Sequence, residues 1–167
     1  MAKDVQIVDE NDEPIGAVSS QEARDKGLYH RIARVILKDE NGRILSQRRS
    51  ATKSLYANLW TDSASGHVDE GESYEVAIKR ELMEETGITA DVTFLGKFLT
   101  HHINNGKETP IFNGIFEGTI SSSTEFVLDP VEVGDIKWFE PGELKSLIKE
   151  RPEDFTAGFI EVIGRYF

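Results

Sequence analysis

Three glutamates, Glu81, Glu84 and Glu85, have the residue type and spacing to do chemistry in this sequence. They lie near the end of the stretch from Gly66 to Ile88, GHVDEGESYEVAIKRELMEETGI, whose second half has the spacing of one helix. Ser73 suits its N-cap, and Gly87 suits a left-handed stop at its C-terminus. At helical period Tyr74, Ala77, Ile78, Glu81, Leu82 and Glu85 fall on one stripe, with Glu84 just beside it. The first turns of the stripe are apolar and predict a core-facing surface, so the last turns carry carboxylates inward. Burying an unpaired anion costs on the order of several kcal/mol. Arg80, the nearest cation in sequence, lies on the flank and has too little charge for three acids, whereas a bound divalent metal ion has enough. A solvated charged face is the competing account of a Glu-rich run. Glu75, Lys79 and Met83 already form an outward face, with Glu75 and Lys79 at i,i+4 spacing, which leaves Glu81 and Glu85 on the other side.

The rest of the chain has to hold this helix and bring a site to it. Residues 4–9 and 15–18 predict two short strands around the turn-rich Glu10–Pro14, and Gln21–Lys26 predicts a short helix stopped by Gly27. Ile32–Leu37 and Ile44–Gln47 are β-rich, and Asn41-Gly42 between them is a hairpin signal. Residues 50–67, rich in small side chains, predict an irregular loop feeding Gly66. Beyond the helix, Val92–Thr100 and Pro110–Ile120 predict strands around a polar turn at Asn104–Lys107, and Ile136–Phe139 predicts another. Pro141 and Gly142 introduce a helix to about Lys149, which Arg151-Pro152 ends. Phe155, Phe159, Ile163 and Tyr166 or Phe167 recur at helical spacing, an aromatic stripe that belongs to the core, as does Trp60. Strands interleaved with helices predict one α/β domain over 1–167, a mixed β-sheet with helices on both faces.

Composition narrows the function. The formal charge of −11 opposes binding to a nucleic acid polymer, which requires a basic surface, but not to a small phosphate compound in a locally cationic cleft. The absence of cysteine excludes a disulfide scaffold, a zinc–thiolate centre and a Cys nucleophile. No apolar run reaches membrane-spanning length, and MAKDVQIVDE lacks the basic and apolar regions of a signal peptide, which predicts cytoplasmic residence and no membrane partner. No feature of the sequence selects an oligomeric state.

Gly66, Glu72, Arg80, Glu81, Leu82, Glu84, Glu85, Gly87 and Ile88 fill every fixed position of the pattern G-x5-E-x7-R-E-U-x-E-E-x-G-U, where U is aliphatic. By this pattern the chain resembles the Nudix hydrolases. The resemblance implies the Nudix α/β/α sandwich and a loop–helix–loop over 66–88 that holds Mg²⁺ or Mn²⁺ and cleaves diphosphate linkages. It implies metal ligands at Glu81, Glu84 and Glu85, with the carbonyl of Gly66 as a further one. Hard oxygen donors suit either ion. It also implies that Glu72 and Arg80 hold the loop against the helix as a salt bridge. The general base is open between Glu81 or Glu84 on the helix and Glu132 in the loop before Trp138, where a plain surface acid is the alternative.

The likeness extends beyond the box. VDENDEPIG near the N-terminus, His30-Arg31, QRRSATK at 47–53, LWTDSASGH at 59–67 and VEVGDIKWF at 131–139 resemble the isopentenyl-diphosphate isomerase branch, which includes isomerases and isomerase-like hydrolases. That resemblance assigns diphosphate binding to Arg49 and Lys53 and makes His30 and His67 a candidate second metal site. Strand alternation turns Arg48 and Arg49 to opposite faces, so only one enters the cleft. An exposed basic pair balancing an acidic protein is the alternative. An isomerase moves protons at carbon, using a Cys in its W-T-x-S-x-C-G-H segment. Ser65 stands at that position, and a hydroxyl is a poor proton-transfer group at neutral pH. Glu108 does not fall into register with the isomerases' metal-binding glutamates, while the acidic end of the box is complete. The expected function is metal-dependent hydrolysis of a small diphosphate, nucleoside-linked compounds included. Isopentenyl-diphosphate isomerisation and a non-catalytic nucleotide-binding module are the alternatives.

Overall fold

The computed structural model describes residues 3–167; the first two residues of the expected 1–167 domain lie outside the described part. In chain order the elements are β1 (Val5–Val8), β2 (Pro14–Val18), α1 (Ser20–Lys26), β3 (His30–Lys38), β4 (Ile44–Arg49), β5 (Trp60–Thr61), β6 (Ala64–His67), α2 (Tyr74–Thr86), β7 (Thr93–Asn104), β8 (Lys107–Thr119), β9 (Val133–Phe139), α3 (Pro141–Glu150), a short 3₁₀ turn (Pro152–Asp154) and α4 (Ala157–Tyr166).

The run HRIARVILK is apolar enough to be buried on both faces, and it forms the central strand, β3. One edge of β3 pairs in parallel with β8, from His30 opposite Ile111 to Lys38 opposite Thr119. Its other edge is divided among β1, β6 and β4, all antiparallel. β2 extends the sheet beyond β1, β7 beyond β8, and β5 and β9 beyond β4. Alternation along β3 then separates two cores. Ala33, Val35 and Leu37, with Leu45 and Phe116, pack on Ala77, Ile78 and Leu82 of α2. Ile36, with Ile44 and Ile115, packs on Leu144 of α3 and on Phe159, Val162 and Ile163 of α4. Helices therefore cover both faces of a mixed sheet, an α/β/α sandwich. Full burial of a side chain such as Phe159 contributes about 1.5–3 kcal/mol.

Two strands stand where the sequence predicts only loop. The Ser63 hydroxyl donates to Leu45 O at 2.6 Å and accepts from Leu37 N at 2.8 Å. It therefore wedges β3 from β4 and leaves edges on which β6 and β5 zip up, although β6, Ala-Ser-Gly-His, has no notable β propensity and β5 is only two residues long. The β7–β8 hairpin runs farther than its sequence suggests, to a turn at Asn105-Gly106 where both residues have positive φ.

Both ends of α2 are fixed locally. Ser73 Oγ accepts from Val76 N, and Gly87, at φ 72°, returns its N–H to Met83 O. Val127 N and Asp129 N cap the carbonyls of Thr86 and Glu85, so the irregular segment before β9 closes over the helix end. No helix among the described residues is long and apolar enough to cross a membrane.

Candidate active site

Glu85 sits on the inward side of the last turn of α2 and is only 7% exposed. Its Oε1 accepts from Ser65 N at 3.0 Å and from Gln47 Nε2 at 3.3 Å, both neutral donors. Burial, and then the nearby Glu81, push its carboxyl up to about 8. Glu81, one turn earlier, is pushed up to about 7 by burial, with Arg80 opposing. Its carboxylate lies over Gly66, where a Cβ would stand 2.2 Å from Glu81 Cδ and Oε1. Only glycine lets the acid come so near that backbone. Glu84 stands at the rim, its side chain 58% exposed.

Arg80 binds the loop to the helix. Its Nε and Nη2 each donate to Glu72 at 2.8 Å, Nη2 also donates to His67 O at 3.0 Å, and Asp69 is 3.4 Å away. Its Nη1 donates to Glu81 at 2.7 Å and reaches Glu84 at 3.5 Å. These anions hold the guanidinium even more firmly protonated than usual, while Arg80 keeps Glu72 below the ordinary glutamate range. From the flank of the stripe Arg80 reaches farther than the helical spacing alone indicates. Its long stem brings the charge to two of the three acids, and Glu85 is the one it does not reach. The loop is also braced from β1, because Gln6 N donates to Val68 O, Glu70 N to Asp4 O, and Gly71 N to Gln6 Oε1, each at 2.9 Å.

Across from α2, β4 supplies Gln47 and, two residues on, Arg49. A register shift against β9 falls between Arg48 and Arg49, with the extra residue, Gly134, on β9. Both turn to the following loop: Arg49 Nε donates to Leu55 O and Arg48 Nε to Asn58 O, each at 3.1 Å. Lys53 Nζ is 2.8 Å from Glu132 Oε2, so the expected phosphate ligand and the candidate base are paired.

The His30 and His67 ring centroids are 5.4 Å apart. His30 Nδ1 bonds Leu28 O at 3.0 Å, and its Nε2 is buried without a partner. Burial, then His30, push His67 down to about 3, so it is neutral at physiological pH. Among the described residues no three His, Cys, Asp or Glu side chains converge tightly enough to hold a metal ion unaided. The histidine pair has no third side-chain ligand, and the glutamates need other oxygens as well. Trp60 packs edge-on against Phe139 in the core, and Glu108 pairs with His101 on the exposed hairpin.

Sequence reasoning missed two contributors. Gln47 and the Ser65 N–H hold Glu85; both lie in segments the sequence singles out, but nothing there ties them to Glu85. Arg34, on the α4 face of β3 and outside the site, is a structural residue that the sequence flags: its charge within an apolar strand is itself a signal that it needs a partner. Its Nη1 donates to buried Asp62 at 2.6 Å and its Nε to Asn113 at 2.9 Å.

The donor set fits a divalent cation. It is all oxygen, it includes a buried carboxyl that no cation meets, and it faces a backbone left bare by Gly66. Arg49 and Lys53 follow Gln47 on β4 and the loop beyond it, and Lys53 pairs with Glu132, whose charge reaches Glu85.

Residues 28–159 match the family model of the NUDIX domain. The chain is 35% identical over 160 residues to isopentenyl-diphosphate Delta-isomerase 2 of Photorhabdus laumondii, covering 95% of this chain and 89% of that protein. It is 34% identical over 160 residues to a prenyl-diphosphate phosphatase of Methanosarcina mazei, covering 96% and 92%. Among solved structures, DR0079 of Deinococcus radiodurans has the same fold, with a TM-score of 0.80 at 23% identity over 99% of both chains.

Proposed function

This chain belongs to the Nudix domain family, and from that premise we propose that it is a divalent-metal-dependent hydrolase of a small organic diphosphate. The observation that carries the proposal is Glu85, a buried carboxyl with neutral donors and no cation of its own. Glu81, Glu84, Glu85 and the carbonyl of Gly66 would hold Mg²⁺ or Mn²⁺. When bound, the ion supplies charge neutralisation and polarisation of the phosphoryl group. Arg49 and Lys53 bind the diphosphate. Glu132, whose charge reaches Glu85 on α2, takes the proton of the attacking water, with Glu81 or Glu84 the alternative base. Water adds to phosphorus, the bridging P–O bond breaks, and the leaving phosphate carries the electron pair away.

The test is a screen of nucleoside and prenyl diphosphates for metal-dependent release of phosphate or pyrophosphate, run beside Glu84→Gln and Glu85→Gln. The wild type should turn over at least one compound and the variants should lose orders of magnitude while staying folded. Equal turnover by the variants would end the proposal.

Isomerisation of isopentenyl diphosphate is the second reading, favoured by the name of the Photorhabdus relative. Ser65 opposes it, since no thiol is present to move the proton at carbon. Incubation in deuterated water with Mg²⁺ and Mn²⁺ separates the two, because only an isomerase puts deuterium on carbon.

A further inference from the structure

The loop carrying Lys53 and the segment carrying Glu132 meet just beyond the end of β4. The two side chains form a 2.8 Å ion pair and are 25% and 36% exposed, so solvent and solutes reach both. The backbone beneath them is already fixed. Ser50 N donates to Glu132 O at 3.0 Å, Glu132 N to Asp129 O at 3.1 Å, and Lys53 N to Ser50 O at 3.2 Å. The ion pair is therefore not needed to join the two segments, and the side chains can part without moving either one. Glu132 is also close enough to the acidic helix to add to the upward push on Glu85.

An ammonium in this position has two suitors. One is the carboxylate it now holds, and the other is an incoming diphosphate, which carries more negative charge and more acceptor oxygens. We infer that the Lys53–Glu132 pair is a latch opened by partner exchange: the substrate diphosphate takes Lys53, and Glu132 is left as an uncompensated carboxylate beside the reacting phosphate. The inference rests on the hydrolase reading for its catalytic consequence. The exchange itself requires only that a diphosphate binds. Lys53 is then more than a phosphate ligand, because its departure frees the group that must accept a proton. Until a diphosphate arrives, Glu132 stays neutralised.

The signature is a pair of opposite effects. Glu132→Gln removes the competitor for Lys53 and should tighten binding of inorganic pyrophosphate by about two- to fivefold, the range for one partly exposed ion pair. Lys53→Met should weaken it, and in that background Glu132→Gln should gain clearly less than it does beside Lys53, because only the repulsion between Glu132 and pyrophosphate is left to relieve. Isothermal calorimetry with pyrophosphate and Mg²⁺ on the whole chain reads this without turnover. In the hydrolase assay Glu132→Gln should lower KM and kcat together. Unchanged or weaker pyrophosphate binding by Glu132→Gln would overturn the latch, as would additive effects in the double variant. If the wild type hydrolyses no diphosphate, the hydrolase reading fails, while the binding cycle still decides the exchange.

Discussion

Glu85→Gln should make the metal-free protein more stable at alkaline pH while destroying its activity. Glu85 is 7% exposed, and its carboxyl stands at about 8 in the fold, against 4.5 in an exposed chain. An acid whose folded value is raised weakens the fold once pH passes the unfolded value, and does so in full above the folded one. The penalty therefore opens near pH 4.5 and is complete above about pH 8. At 1.36 kcal/mol per unit the ceiling is roughly 5 kcal/mol. Glu81 contributes to the shift and would itself relax, so we expect a gain of about 1–3 kcal/mol from the single replacement. The Gln carboxamide oxygen still accepts from Ser65 N and Gln47 Nε2, so no partner is orphaned. Urea unfolding in EDTA at pH 5 and pH 8.5 measures this directly. The variant should exceed the wild type by that margin at the higher pH and nearly match it at the lower. Saturating Mg²⁺ should raise the wild type and close the gap, because only the wild type gains a full ligand set. A variant no more stable than wild type at pH 8.5, or a margin that persists at pH 5, would refute the account of Glu85.

Gly66→Ala places a Cβ on the Glu81 carboxylate, the far end of a flexible side chain that can swing away. Stability should fall by no more than about 1 kcal/mol, whereas kcat/KM should fall by about 100-fold or more as the acid leaves its post; activity within threefold of wild type would count against the assigned geometry. Arg34→Met strands buried Asp62 without its cation and should cost about 3–5 kcal/mol by urea unfolding. Arg80→Lys keeps the charge but loses the two-pronged grip on Glu72 and the reach to Glu81, so the Mg²⁺ concentration for half-maximal activity should rise severalfold with little change in fold by circular dichroism.

The helix that holds the acids was legible because its signals are local. Ser73 and Gly87 mark its ends, and the period of Ala77, Ile78 and Leu82 marks its buried side. The aromatic stripe on α4 was legible for the same reason, with Phe159 and Ile163 in the core as the spacing predicts. What could not be read depends on partners distant in sequence. β5 and β6 exist because Ser63 parts β3 from β4, and a serine hydroxyl has no periodicity to betray that. A helical wheel places the Cα of Arg80 but not the end of its stem, so its contacts with Glu81 and Glu84 were missed. Lys53 and Glu132 were each singled out, yet nothing in sequence ties residues 79 positions apart.

Asp4 and Gln6 precede the stretch that matches the family model, yet they bond the loop that Arg80 straps down. Asp4 and Gln6 are therefore a brace at a distance from the acids. A fused tag that tugs on β1, or a protease nick within it, should slow turnover without touching any acid, and trimming to the shared family core would remove a brace along with what looks like a dispensable leader.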